Sequence, residues 1–359
     1  MKIFFLLSRT NSLPFFIPLA DFLKNFFDIS FIFSPLKDSK YNSVFHENNK
    51  KEVLSLIKDY KIYFPADEKE FFNLDIDILF SVEGNGFPAH KKKDFKFKHI
   101  IIQNYHDWTF SCQYPKTEYL YQNCYALWLL NESFLDLSKI LNISSNIFCG
   151  ILPYYWHYEN KTKEEIVPFY NIDLSKKNAL CFLPRARETI MSSWKDVKLT
   201  PSPEFHSGDP KKDIEHVLNF SEFLKENDFN IIYKQRQKNR NLDFYNNNSY
   251  IEDVRCFPGT SLDLLFVSDL SYGYMTSAIM DASIFGGRYI NFWKDSFPPL
   301  TKKIFDEYKK FDNIDFCDLD EPFNKNFLKK NIENNFNLNK IEKTKNNLLS
   351  FLAEIKCES

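Results

Sequence analysis

Short apolar runs alternate with amphipathic stretches along most of this chain, the pattern of strands feeding helices. Residues 3–7 (Ile3-Phe4-Phe5-Leu6-Leu7) are uninterruptedly apolar and predict a buried strand. A helix is predicted over 18–27, because Leu19, Phe22, Leu23, Phe26 and Phe27 recur at three- and four-residue spacing and Pro18 suits a first helical position. Strands are expected at 29–33, 61–64, 78–81 and 99–103, with a helix over 51–59 between the first two. A long helix is expected over 126–141, and 146–153 reads as a last strand with its exit turn.

The polar, mixed segment 160–177 carries the domain boundary, dividing the chain into 1–170 and 171–359. A second alternation follows: strand 179–184, helix 213–227, strand 229–234 and an Asn-rich loop over 237–249. Next come strand 264–267, a helix opening near Thr276 and a β-rich segment from Arg288. The tail 325–359 reads as one or two helices with Leu348, Leu349, Phe351 and Leu352 toward a core. Strands alternating with helices imply parallel sheets covered on both faces, hence an α/β fold of two Rossmann-like doubly wound domains with a cleft between them. Ligands in such sheets bind beyond the carboxyl ends of the strands, so useful chemistry is sought there.

Composition narrows the partners. The 359 residues, 44% hydrophobic, supply two cores, and a formal net charge of -2 leaves no basic field to recruit nucleic acid. The 39 Phe and 19 Tyr, with many Lys, Asn and Ile, point to an A/T-rich coding bias and a low-GC bacterium. Cys112, Cys124, Cys149, Cys181, Cys256, Cys317 and Cys357 are scattered singly, as reduced thiols are, with neither a disulfide framework nor a zinc knuckle. The apolar run after Lys2 is too short for a signal or spanning segment, so a cytoplasmic location is expected.

Three strand exits carry candidate side chains. After 99–103 comes Asn104-Tyr105-His106-Asp107-Trp108, where His106 can deprotonate a hydroxyl and Asp107 can orient it or act as base itself. A histidine that merely bonds its own loop is the competing reading. His157, inside Pro153-Tyr154-Tyr155-Trp156-His157-Tyr158, is read as packing at a domain seam. After 179–184, Arg187 offers a fork matched to phosphate, unless it pairs with Glu188 or Asp196. After 229–234, Lys234 and Arg236 add cations. The stretch Gly273-Tyr274-Met275-Thr276-Ser277 brings hydroxyls to a helix start, and Asp281 shares a face with Ser277, although capping explains an acid there equally well. Asp75 and Asp77, and Asp318 and Asp320, are read as strand-edge or loop acids. The run Lys91-Lys92-Lys93-Asp94-Phe95-Lys96-Phe97-Lys98 is read first as a solvated loop and, if functional, as a contact to anionic lipid headgroups.

The segment 267–282, followed by Gly286-Gly287, resembles the donor-binding segment of GT-B glycosyltransferases and of the CDP-glycerol glycerophosphotransferases. His106 stands where the latter carry Trp-His-Gly, here without the Trp and Gly. Cys181-Phe182-Leu183-Pro184-Arg185-Ala186-Arg187 resembles their strand followed by Pro-Thr-x-Arg, with Arg187 aligned. Lys234 matches the lysine of their Lys-x-His-Pro, whose remainder Gln235, Arg236 and Gln237 replace, leaving Arg236 to substitute as a cation. The resemblance implies an acceptor-side domain 1–170 and a donor-binding domain 171–359. It implies a nucleotide-diphosphate sugar or CDP-alditol donor held by Arg187, Lys234, Arg236, Tyr274, Thr276, Ser277 and Asp281, the last on the ribose, with neither cofactor nor metal. His106 and Asp107 would be catalytic, and a glycan or lipid-linked acceptor would bring peripheral contact with the inner membrane. A relative of the non-hydrolysing UDP-N-acetylglucosamine epimerases, or an inactive scaffold in glycan assembly, shares the same architecture.

Overall fold

The structure is a computed structural model. It describes residues 1–7, 12–35, 53–82, 96–103, 124–130, 146–183, 210–234, 249–250, 257–274, 278–294, 311–323 and 340–357, with 87, 276, 306, 308, 309 and 328 singly. By its contacts the chain divides into two units, Met1–Glu159 with Leu338–Ser359, and Asn160–Asn337.

The first unit is built on β1 (Lys2–Leu7), β2 (Asp28–Phe33), β3 (Lys61–Tyr63), β4 (Ile78–Val82), β5 (Lys98–Ile102), β6 (Ala126–Leu129) and β7 (Asn146–Cys149). They form a seven-stranded parallel sheet in the order β3-β2-β1-β4-β5-β6-β7, the doubly wound order. Its central strands β1 and β4 are buried along nearly their whole length, β1 from Ile3 to Leu7 and β4 throughout, as in doubly wound sheets.

Helix α1 is Leu13–Leu23, not 18–27, and Pro18 lies inside it. Pro18 has no N–H to give the carbonyl of Pro14 one turn back, and His157 Nε2 lies 3.0 Å from that oxygen instead. His157 belongs to the 3-10 turn Pro153–Tyr158, whose Trp156 and Tyr154 pack on Phe22 and Phe15 of α1. The long helix expected from 126 is a strand where it is described, β6, and 131–141 lie outside the described residues. All four β6 residues are buried, and Trp128 Nε1 donates to the Gly150 carbonyl at 3.1 Å. Helix α2 is Glu68–Asn73, capped by Asp67, and residues 53–56 are helical.

Of the basic run, Phe97 is in the core with Phe71 and Phe87, Lys98 Nζ lies over the Tyr125 ring, and 91–95 fall outside the described residues. Asp75 pairs with Lys2 Nζ, and Asp77 accepts the Lys2 backbone N–H at 2.7 Å.

The second unit opens with α3 (Lys163–Ile166), entered through a Thr162/Glu165 capping box. Its strands are β8 (Lys177–Phe182), β9 (Phe229–Lys234), β10 (Ser249–Tyr250), β11 (Leu270–Gly273), β12 (Arg288–Trp293) and β13 (Ile314–Asp318). The six-stranded sheet runs β10-β9-β8-β11-β12-β13, again parallel and doubly wound. Helices α4 (Pro210–Lys225), α5 (Thr260–Val267) and α6 (Ala278–Ile284) accompany it.

The strand expected at 264–267 is therefore the end of α5, and the strand before the site is β11. Four apolar residues carry too little period to separate the two, and Leu270–Gly273 takes the sheet position between β8 and β12. Cys124, Cys149, Cys181, Cys317 and Cys357 are free thiols. Burial pushes Cys181 up and Cys317 up to about 12, which keeps both thiols unreactive.

Helix α7 (Ile341–Cys357) returns to the first unit. Leu348 and Leu352 are buried, and the Phe351 ring packs on Phe148 at 5.6 Å. Thr344 Oγ1 accepts the Ile151 N–H at 3.1 Å and donates to the Lys340 carbonyl at 2.9 Å. A Cβ on Gly150 would fall 2.5 Å from Thr344 Cγ2, so that glycine is set by close approach. Gly150→Ala is expected to destabilise the fold by about 1–3 kcal/mol in urea denaturation, as overpacked sites do. Thr344→Ser, which removes Cγ2 and keeps the hydroxyl, should recover part of that loss. Equal stability of parent and Gly150→Ala would contradict the contact.

His99 is buried, with Nε2 2.7 Å from Ser81 Oγ and its ring 4.2 Å from Phe87. Burial drives its pKa down to about 3, so the native state holds it neutral. Between its unfolded pKa near 6.5 and that value, the unfolded chain binds the extra proton, so stability is full above about 6.5 and falls as the pH drops. Acidification from about pH 6.5 to 5 should cost about 2 kcal/mol through this one group. The double substitution His99→Leu with Ser81→Ala should remove that share of the slope in denaturant midpoints measured across the interval.

Candidate functional site

In the second sheet β8 stands in the middle, with β9 on one side and β11 on the other, so the direction of winding reverses between β8 and β11. That reversal leaves a crevice at the carboxyl ends of the two strands, where open α/β sheets take ligands. The last residues of the strands pair as Gly273 with Phe182. A Cβ on Gly273 would stand 2.6 Å from the Phe182 carbonyl oxygen, and its φ of +144° is a conformation L side chains rarely adopt. Glycine at 273 is therefore what lets β11 end this close to β8.

The chain leaving Gly273 supplies the next groups. Thr276 precedes α6, its carbonyl accepting the Ile279 N–H at 3.2 Å and its hydroxyl lying 3.5 Å from the Ala278 N–H. Asp281 is half-buried in the first turn of α6. Lys234 ends β9, with its side chain buried and its carbonyl accepting the Leu183 N–H at 3.3 Å. Lys234, Tyr274, Thr276 and Asp281 thus all lie at the carboxyl edge of one sheet or just beyond it. His106, Asp107, Arg187, Arg236 and Ser277 lie outside the described residues.

Tyr274 turns inward. Its ring meets Phe292 edge-on at 5.3 Å, and its backbone carbonyl accepts the Tyr289 hydroxyl at 3.0 Å. Its own hydroxyl lies 2.9 Å from His216 Nδ1 and is hydrogen-bonded to the Asp213 carboxylate. Burial, reinforced by Asp213, pushes the Tyr274 phenol far above its ordinary value, so it keeps its proton. Burial also lowers the His216 pKa, with Lys294 acting in the same sense and Asp213, Glu215 and Asp320 opposing.

Asp213 and His216 escaped the sequence reading because the helix there was read only as an amphipathic element; the sole signal was an acid and a histidine three residues apart in its first turns. Asn291 was missed too. It is fully buried opposite Gly273 in the β11/β12 register, and its Oδ1 has no partner among the described residues.

Asp318 and Asp320 form a turn after β13, where Asp318 Oδ1 accepts the Asp320 N–H at 2.9 Å and Asp320 pairs with Lys294 at 3.2 Å. Among the described residues, no group of three or more His, Cys, Asp or Glu is placed to hold a metal ion, and no helix is long and apolar enough to cross a membrane.

No family model matches the chain, and no curated protein matches it. Solved structures do. A variant of the wall teichoic acid polymerase TagF has a TM-score of 0.54 at 13% identity, over 96% of this chain and 82% of that one. A putative UDP-N-acetylglucosamine 2-epimerase from Listeria monocytogenes has a TM-score of 0.52 at 10% identity, over 96% of this chain and 89% of that one. At such identities the likeness is one of fold. With the two doubly wound strand orders, it shows that this chain has the GT-B architecture of two Rossmann-like α/β units.

Proposed function

We propose that the chain is a transferase that moves a sugar or a polyol phosphate from a cytidine- or uridine-diphosphate donor to a cell-surface glycan acceptor. The observation that carries this reading is the reversal of winding between β8 and β11, where Gly273 lets the two strands end in close approach and is followed by Thr276 and Asp281. The donor diphosphate is held by Lys234, Arg187 and Arg236 with the Thr276 and Ser277 hydroxyls, and Asp281 takes the ribose. Fixed cations and hydroxyls counter the charge that develops on the leaving group, a nucleoside diphosphate when a sugar moves and a nucleoside monophosphate when a polyol phosphate moves, the task a metal ion performs in other transferases. His106, oriented by Asp107, takes the proton of the acceptor hydroxyl as it attacks. An acceptor on a lipid carrier brings the protein to the inner membrane surface.

A second reading, epimerisation of UDP-N-acetylglucosamine, is favoured by the likeness to the Listeria protein. Sugar transfer and epimerisation can start from the same uridine-diphosphate sugar, but an epimerase inverts a sugar centre with no acceptor present. A scaffold that binds donor without turnover would give neither product.

Thermal denaturation with CDP-glycerol, UDP-N-acetylglucosamine, CDP and UDP tests the donor site, since a ligand of the native state raises Tm. At least one of these is expected to do so. Arg187→Ala or Ser277→Ala should weaken its affinity about 10-fold or more, as loss of a charge-assisted hydrogen bond does. Binding unchanged in both variants would remove the proposed clamp.

Turnover tests the base. His106→Ala is expected to lower transfer by about 10²–10⁴ while leaving donor affinity unchanged, because the donor contacts lie in the other unit. A folded variant with parental turnover would pass the role to Asp107.

A further inference from the structure

The first turns of α4 carry a polar cluster that none of the roles above uses. Asp213 and His216 lie three residues apart and share a helix face, and Tyr274 meets both from the end of β11. Proton positions in this cluster follow from what each group can donate. A carboxylate only accepts, so the single phenolic proton of Tyr274 goes to Asp213, which is buried. The Tyr274 oxygen is then left as an acceptor toward His216 Nδ1, 2.9 Å away, so Nδ1 carries the imidazole proton. In a neutral ring with Nδ1 protonated, Nε2 is a bare lone pair. His216 is half-buried, and its Nε2 has no partner among the described residues.

We infer that Nε2 of His216 accepts a hydrogen bond from a hydroxyl group of the nucleotide-diphosphate donor, with Asp213 and Tyr274 as positioning residues that hold that nitrogen free of a proton. The assignment rests on the donor-site reading above and deepens it. A bare lone pair repels phosphate oxygens, which are acceptors too, and pairs with a hydroxyl. The part of the donor at His216 is therefore its polyhydroxy portion, not its diphosphate. The chain that leaves Tyr274 runs directly to Thr276 and α6, so one connection places both the hydroxyl acceptor and the groups assigned to the phosphates. Charges facing His216 come from Asp213 and Glu215 on its own helix, Lys294 after β12 and Asp320 after β13. Burial and Lys294 favour the neutral ring against the three acids.

The test is calorimetric titration of the full chain with CDP-glycerol and with UDP-N-acetylglucosamine between about pH 8 and 5.5, where neither diphosphate diester ionises. For whichever compound binds, parental affinity is expected to depend on pH through His216, because protonation turns Nε2 from an acceptor into a donor. His216→Asn, which keeps a group near Tyr274 but none at Nε2, should lower affinity about 3- to 10-fold at pH 8 and flatten the profile. His216→Gln, which returns an acceptor to that place, should recover most of the affinity without the pH dependence. His216→Asn binding like the parent at pH 8 would overturn the assignment. Nitrogen NMR of the unliganded protein reads the tautomer directly, and a proton on Nε2 at pH 8 would overturn it as well. If neither compound binds the parent at any pH, the donor-site reading fails and takes this assignment with it; binding that ignores His216→Asn sinks the assignment alone.

Discussion

The 2.6 Å that a Cβ on Gly273 would leave to the Phe182 carbonyl is the constraint on which the second unit's site depends. Only a residue without a side chain lets β11 end against β8 at the point where the winding reverses. The backbone leaves that pairing at φ +144°, and the next side chain, Tyr274, is directed onto Phe292 and the first turns of α4. Tyr274 thus ties the end of β11 to that helix.

Several polar groups at least partly buried in each unit are matched to partners across the fold, as their desolvation cost favours. His99 stays neutral against Ser81, His157 serves the carbonyl that Pro18 cannot, and Arg288 in β12 pairs with Asp315 in β13. Tyr272 meets Ser221 of α4 at 2.6 Å, so the strand that carries the site is bonded to that helix in two places. The positioning of His216 is therefore a property of the packed unit, set by α4 and the end of β11 together. Asn291 departs from this matching, its Oδ1 having no partner among the described residues, and it lies beside Gly273 at the same edge.

Much of this was legible in the amino-acid sequence. The alternation of apolar runs with amphipathic stretches determined two parallel, doubly wound sheets, because strands buried on both faces must be apolar throughout. The order apolar run, glycine, hydroxyls, helix over 264–284 marked the candidate donor segment, although its strand is Leu270–Gly273 and not 264–267; Lys234, Tyr274, Thr276 and Asp281 stand at or just beyond the carboxyl edge of that sheet. Tertiary structure decided what local pattern cannot. The runs at 126–129 and 264–267 are too short to show a period, so sheet pairing made one a strand and its absence made the other a helix. Helix α1 crosses Pro18 because His157, 143 residues away in sequence, supplies the missing donor. Asp213 and His216 became part of a site only when Tyr274, 58 residues beyond His216, folded against them, since a hydrogen bond between distant segments leaves no mark on the periodicity of either.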